Sequence, residues 1–319
     1  MLYFIVNRTS GTGKCEEIWK KAKKCLKDSM IEYKAYDTKY VGHATKIAMK
    51  LCELPQESVA IVVVGGDGTI NEVLNGITDF KKVRLGIIPA GSGNDFAKGM
   101  HIKKDVIANI TQIALHDRTD NMTRMDLGMV IYDGCTRPRV FGISSGLGLD
   151  AIVCKKAYRS GLKKLLNKLH LGKLTYVFTT IFSLFCMKTA DVRMDMERTV
   201  QSESQPFRLR KDMHKVIFLA AMNLAAEGGG VPMAPSANGT NGCLAMSSAS
   251  GIPKWRTFFC LPFLLAAKQE WINGFDLLYT DKATISLSKP TTLHVDGEYC
   301  GEVSKVTYEC LPGFLNLLN

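Results

Sequence analysis

No Cys-x-x-Cys pair occurs in this chain, although it has 10 cysteines, at positions 15, 25, 52, 135, 154, 186, 243, 260, 300 and 310. Thiols so scattered exclude the common zinc spacings and argue against a disulfide framework. No basic segment precedes the strand-like Leu2 to Val6, so a leader peptide is not expected. Free thiols in a reducing cytosol follow as the expectation. No uncharged, apolar run reaches the ~20 residues of a spanning helix; the longest candidate, Leu174 to Met187, has 14. Repeats and low-complexity tracts are missing, and 46% hydrophobic residues exclude wholesale disorder. Acidic residues are missing from Ala151 to Ala190, where Lys155, Lys156, Arg159, Lys163, Lys164, Lys168, Lys173 and Lys188 fall.

What is present is basic. Lys and Arg number 41 against 30 Asp and Glu, a formal charge of +11, which favours a polyanionic partner, either nucleic acid or an anionic membrane. Leu162, Leu165, Leu166 and Leu169 share one helical face, with Lys163, Lys164 and Lys168 off it. Such a basic amphipathic stretch can lie on an anionic bilayer, or pack its leucines on the protein and wet its lysines. The apolar segment Trp255 to Ala267 reads equally as a way to meet a bilayer and as a buried helix.

At 319 residues the chain has room for two domains. In the first half, strands at Leu2–Asn7, Tyr33–Thr38, Val59–Val64 and Leu85–Ile88 alternate with helical patterns at Glu16–Lys27, His43–Leu51, Ile70–Ile77 and Ile107–Leu115. That alternation argues for an α/β domain with an open, mostly parallel sheet over residues 1–122. From 123 to 319 the grammar changes to strands at Met122–Ile131, Val140–Ser145, Val192–Glu197, Lys215–Asn223, Ala283–Leu287 and Thr291–Val295. This half reads as antiparallel β-structure with the basic helical stretch inserted, its C-terminal tail free to return to the first domain. Gln201 to Gln205 reads as an exposed turn.

Three polar glycine segments, 7–14, 65–69 and 89–95, fall at strand ends, where open α/β sheets bind ligands. In the second, the apolar run Val59 to Val64 stops at Gly65-Gly66-Asp67-Gly68-Thr69 and a helix follows. Strand, glycine loop and helix aim backbone N–H groups and a positive helix end at phosphate. The first segment is not a Walker A loop, because Arg8 and Cys15 stand where that motif needs Gly and Ser or Thr. Ser10, Gly11 and Lys14 can still contact phosphate. In the third, Ser92, Asn94 and Asp95 offer a hydroxyl, an amide and a carboxylate to a nucleotide and its Mg²⁺, or cap a helix. Asp126 is a carboxylate in an apolar strand and needs a cation or a hydrogen-bond partner; with Asp67 and Asp95 it can form a magnesium network. Asp296-Gly297 between strand-like runs is first a hairpin signal. As a functional pair, Asp296 accepts a proton from an attacking hydroxyl and Glu298 shares the charge, their repulsion poising the base. His294 reads as structural.

Asn7-Arg8-Thr9-Ser10-Gly11, Gly65-Gly66-Asp67-Gly68-Thr69, Pro89-Ala90-Gly91-Ser92-Gly93-Asn94-Asp95 and Asp296-Gly297-Glu298 together resemble the bacterial soluble diacylglycerol kinase family, related to sphingosine and ceramide kinases. Gly146-Leu147-Gly148-Leu149-Asp150-Ala151, Gly228 to Gly230 and Ala234-Pro235 also look like family segments. The resemblance implies an α/β nucleotide domain followed by a β-sandwich, and transfer of the γ-phosphoryl group of ATP to a lipid hydroxyl, diacylglycerol before others. It implies ATP binding by Asn7, Arg8, Thr9, Ser10, Gly11, Thr38, Gly65, Gly66, Asp67, Gly68, Thr69, Ile70, Asn71, Glu72 and Ser92. It further implies Mg²⁺ organised by Asp67, Asp95 and Asp126, a general base at Asp296 and its neighbour at Glu298. Arg8 replaces the family's proline and adds a phosphate-seeking charge. Ser92 replaces threonine and keeps the hydroxyl. Asn241 replaces an aspartate that holds a structural Mg²⁺, so that site loses a charge but keeps a carbonyl ligand.

The expected setting is cytoplasmic, peripheral at the inner membrane face, with a lipid at an anionic surface as partner, no nucleic acid, and homodimers as seen in relatives. An NAD kinase shares the Gly-Gly-Asp-Gly-Thr loop but is opposed by the loops at 7–11 and 89–95 and by Asp296-Gly297-Glu298. A non-catalytic lipid- or nucleic-acid-binding relative is permitted by charge, but no basic motif with interleaved aromatics supports nucleic acid.

Overall fold

The structure, a computed structural model, describes residues 1–159, 180, 182–199 and 207–319, with the backbone alone for 157–159. The leucine and lysine faces at 162–169, most of the apolar run from Leu174, and Gln201 to Gln205 lie outside the described residues. The chain divides into two units. The first comprises Met1–Leu127, Asn238–Thr240 and Pro312–Asn319, and the second Gly128–Ala237 and Asn241–Leu311. The border therefore falls at 127/128 rather than 122/123.

In the first unit β1 (Leu2–Val6), β2 (Tyr33–Asp37), β3 (Val59–Gly65) and β4 (Val83–Pro89) form a parallel sheet in the order β2–β1–β3–β4. Residues 316–318, the end of β14 (Glu298–Leu318), add a further parallel strand beside β4. Every residue of β1 and β3 is buried, which requires helices on both faces of a parallel sheet. Those helices are α1 (Lys14–Asp28), α2 (His43–Cys52), α3 (Asp67–Leu74), the short α4 (Asp95–Gly99) and α5 (Val106–Thr119). Trp19 of α1 packs on Phe4 of β1 with ring centroids 5.2 Å apart. Burying each such side chain stabilises the unit by roughly 2–3 kcal/mol.

The second unit is built on antiparallel strands. β5 (Thr123–Tyr132) leads into it and pairs with β6 (Arg139–Phe141). Then come β7 (Ser144–Gly148), α6 (Leu149–Arg159), β8 (Ala190–Arg198), β9 (Phe207–Val216), β10 (Phe218–Met222), β11 (Leu244–Ala249), α7 (Lys254–Leu265), β12 (Phe275–Thr280) and β13 (Lys282–Val295). One layer runs β12–β11–β10–β7–β13. Residues 282–287 of β13 pair instead with β8, and β8 with β9. The register of β13 breaks between Ser286 and Thr291, and that bend lets one strand serve both layers of a sandwich. Met194, Met196, Met213 and Met246 help fill the core between them, where flexible thioethers adapt to irregular gaps.

Three strand readings change. Val140 to Ser145 is two strands separated at Gly142 and Ile143, and Lys215 to Asn223 is divided at Ile217, between the end of β9 and the start of β10. Ala283–Leu287 and Thr291–Val295 are one strand, β13. β9, β11, β12 and β14 had no clear alternating pattern to announce them. The helix α7 is not a buried one, because Trp255, Phe258, Phe259, Phe263 and Leu265 are all exposed.

Candidate active site

The three glycine loops of the first unit meet backbone to backbone. A Cβ on Gly11, whose φ is +62°, would lie 2.3 Å from the Ala90 carbonyl oxygen. One on Gly66 would lie 2.9 Å from the Gly91 Cα, and one on Gly91 2.5 Å from the Gly66 Cα. Side chains are excluded there by contact, which is the physical reason for glycine at these positions. Asn7 ties the first loop to the second, its Nδ2 donating to Thr69 Oγ1 at 2.9 Å, while its Oδ1 accepts from Thr9 N and Oγ1 at 3.2 and 2.8 Å. Thr38 joins this edge through its N–H, which donates to the Val6 carbonyl at 2.9 Å. Ser10 is half-buried beside Gly66, and Ser92 is exposed at the tip of the third loop. Asn94 closes that loop by exchanging side-chain bonds of 2.8 and 2.9 Å with Gly91 N and O. The N-terminus of α3 at Asp67 and Gly68 issues from this junction, so helix dipole and glycine backbone converge in an arrangement that can hold a phosphate.

Several side chains assigned to ATP have other engagements. Arg8 does not reach for phosphate in this arrangement: its Nε and Nη1 are each 2.9 Å from Asp37 Oδ1 and Glu16 Oε2, and these bonds push its pKa further up. Glu72 accepts from Gly42 N and Ala44 N at 2.8 and 3.1 Å, and so satisfies the first N–H groups of α2. Ile70 and Asn71 are buried on α3, beyond the turn that begins at Gly66. Glu72 thus caps α2, and Ile70 and Asn71 belong to the buried side of α3.

Asp67 and Asp95 face one point, since a Cβ on Gly93 would lie 3.1 Å from Asp67 Oδ2 and 3.5 Å from Asp95 Oδ2. Asp67 Oδ1 accepts from Phe96 N at 3.1 Å, and Asp95, itself buried, meets Lys98 Nζ at 3.0 Å. Two carboxylates beside one glycine at a loop end are a donor set that can hold a hard divalent cation. Asp126 is buried and accepts from Gly313 N at 2.7 Å, while its own N–H donates to the Gly239 carbonyl at 2.7 Å. The three carboxylates expected to form one network do not bring ligand atoms together within 4.8 Å; among the described residues, Asp150, Glu227 and His294 do. Asn241 is exposed ahead of β11.

In the second unit Val295 pairs with Glu298, so Asp296 and Gly297 form a two-residue hairpin, both with positive φ, 46° and 81°. The turn points the Asp296 carboxylate at the break between β6 and β7. Its Oδ2 accepts from Gly142 N at 2.9 Å, and its Oδ1 from Ile143 N and Ser144 N at 2.9 and 3.0 Å. Three N–H donors fix the orientation of the carboxylate. Glu298 has its own partner, Arg139 Nη2 at 2.7 Å. The poised pair of repelling carboxylates expected from the sequence is thus a carboxylate in a backbone nest beside an ion pair.

Behind the turn lies a cluster that sequence reasoning missed. His294 is buried, with Nε2 3.1 Å from Asp150 Oδ2 and 3.9 Å from Glu227 Oε2, while Gly297 N donates to its Nδ1 at 3.2 Å. Burial alone would lower its pKa, but the bond to Asp150 and the charges of Asp150, Glu227 and Asp296 raise it to about 9. Glu227 also binds the Ser144 hydroxyl, whose N–H holds Asp296. His294 therefore braces the hairpin, a structural role as read from the sequence, with Asp150 and Glu227 as its partners. The signals were available in Asp150 of the Gly-Leu-Gly-Leu-Asp segment and in Glu227 just before Gly228, but their partners lie far along the chain.

Residues 1–130 match the model of the diacylglycerol kinase catalytic domain, and residues 144–319 that of the YegS C-terminal NAD kinase beta sandwich-like domain. A diacylglycerol kinase of Staphylococcus saprophyticus is 30% identical over 327 aligned residues, covering 98% of this chain and 91% of its own. The Bacillus subtilis protein named "Putative lipid kinase YtlR" is 27% identical over 307 residues, covering 94% and 93%. A crystal structure of a diacylglycerol kinase from Bacillus anthracis has the same fold, with TM-score 0.70 at 19% identity over 99% of this chain and 96% of that one.

Proposed function

This chain belongs to the bacterial diacylglycerol kinase family of lipid kinases, and we propose that it transfers the γ-phosphoryl group of ATP to diacylglycerol, giving phosphatidic acid. What carries the reading is the meeting of three glycine loops at a helix N-terminus, in a chain that also presents Asp296 on a rigid turn.

In this reading the loops at Asn7–Gly11, Gly65–Thr69 and Gly91–Ser92, with Thr38, hold the nucleotide by backbone N–H groups and hydroxyls. Asp67 and Asp95 are the residues that would hold a divalent cation, Mg²⁺ by preference. When bound, such an ion offsets phosphate charge, which dominates catalysis of phosphoryl transfer. Asp296 takes the proton of the acceptor hydroxyl as that oxygen bonds to the γ-phosphorus and the bond to the bridging oxygen of ADP breaks. Arg139 keeps the Glu298 charge neutralised so that Asp296 is the base. The acceptor is met at an anionic membrane surface.

The test is ATP consumption on mixed micelles by the wild type and by Asp296→Asn, with nucleotide binding measured alongside. Loss of a general base costs on the order of 10²–10⁴-fold, so turnover should fall by at least ~10²-fold while ATP affinity is retained. Turnover persisting in the variant would reduce Asp296 to a hairpin residue and remove the proposed base.

A further inference from the structure

The helix α7 is turned inside out for a globular protein. Its inner face is carried by Thr257 and Leu264, both buried, whereas Trp255, Phe258, Phe259, Pro262 and Leu265 recur at helical spacing on the exposed side. Trp255 and Phe259 are 62% and 64% exposed. Leaving a contiguous aromatic face in water is unfavourable unless something covers it.

The patch continues beyond the helix. Lys254 Nζ donates to the Phe185 carbonyl at 3.1 Å, which brings the exposed Phe185, and with it residues 182–186, to the start of α7. At the other end Trp271 is 66% exposed, with Lys268 Nζ 4.6 Å from its ring centroid. Cations frame these rings. Arg256 and Lys268 are exposed around α7, Lys188 is exposed after Phe185, and Lys156 Nζ stands 4.6 Å from the Phe182 ring centroid. Between residues 251 and 275 the only acidic residue is Glu270.

We propose that α7, with the flanking Phe185 and Trp271, is an in-plane docking surface for an anionic lipid bilayer. This deepens the lipid-acceptor reading above and rests on it. The charge chooses the occupant: aromatic rings bordered by Lys and Arg suit the headgroup boundary of a negatively charged membrane, where rings bury and cations meet phosphates. The length fixes the mode. Twelve residues at 1.5 Å each make α7 about 18 Å long, short of a ~30 Å hydrocarbon core. It lies in the interface and does not cross.

Three tryptophans make the test direct, because Trp19 is 1% exposed and Trp271→Phe leaves Trp255 as the responsive one. On vesicles of phosphatidylcholine with phosphatidylglycerol, Trp255 emission should shift to the blue and be quenched by brominated acyl chains. Trp255→Ser with Phe259→Ser should weaken vesicle partitioning by at least about tenfold, and Arg256→Gln or Lys268→Gln by about fivefold each, from the ~1 kcal/mol that a cation contributes at an anionic surface. All four side chains are exposed, so these variants should fold. Turnover of a short-chain diacylglycerol dispersed in solution should be unchanged by the same substitutions, and turnover of vesicle-borne lipid should fall. Equal partitioning of wild type and the Trp255/Phe259 variant would overturn the proposal. So would a Trp255 shift that follows protein concentration without vesicles, which would assign the face to a second copy of the chain. If no lipid is phosphorylated by any variant, the kinase reading fails, and the vesicle measurement still decides this surface by itself.

Discussion

At the scale of single residues, His294 has the most to report. Its folded pKa of about 9 lies above the ordinary 6.5, so its contribution to stability is fully present below pH 6.5 and is lost as pH rises through 9. At 1.36 kcal/mol per pH unit the loss across that window is about 3 kcal/mol. Urea unfolding from pH 6 to pH 10 should therefore give a falling stability for the wild type, and a flatter one for His294→Gln, which starts lower because Asp150 and Glu227 lose their cation. Parallel curves would mean that the imidazole is already neutral at pH 7 and that its ion pair with Asp150 contributes nothing. Residue identities at the loops were legible in the sequence because a glycine's reason is local: Gly66 and Gly91 stand where any Cβ would meet backbone. The engagements of Arg8, Glu72 and His294 were not legible, because Asp37, Gly42 and Asp150 lie 29, 30 and 144 positions away and only the fold brings them within reach.

At the scale of elements, strand–loop–helix units read well because an apolar run, a glycine break and a 3.6-residue period change in one place. The loops then act as one element. Gly91→Ala places a methyl 2.5 Å from the Gly66 Cα and 2.8 Å from Asn94 Oδ1, and the backbone must move to admit it. We expect a loss of about 1–3 kcal/mol in stability, with nucleotide affinity reduced several-fold or more. Calorimetric titration of ATP into the folded variant checks this, and unchanged affinity would mean that the junction is not the phosphate cradle. The second half was less legible for two physical reasons. β13 changes layers in mid-strand, which breaks the two-residue alternation that identifies strands. In α7 the aromatic stripe faces outward, and periodicity alone reports that a face is apolar without reporting what covers it.

At the scale of the molecule, a charge of +11 and an exposed aromatic face are the features on which the proposed membrane-borne acceptor rests, and among the described residues no helix is long and apolar enough to cross a membrane. Family membership fixes the class of chemistry but leaves the acceptor to experiment, since the relatives named as diacylglycerol kinases are 27–30% identical. The most direct measurement follows the label from γ-labelled ATP into products when diacylglycerol, other lipid alcohols and NAD are offered together in mixed micelles with Mg²⁺. The account predicts label in phosphatidic acid. Label in phosphorylated NAD, or in no lipid at all, would contradict it.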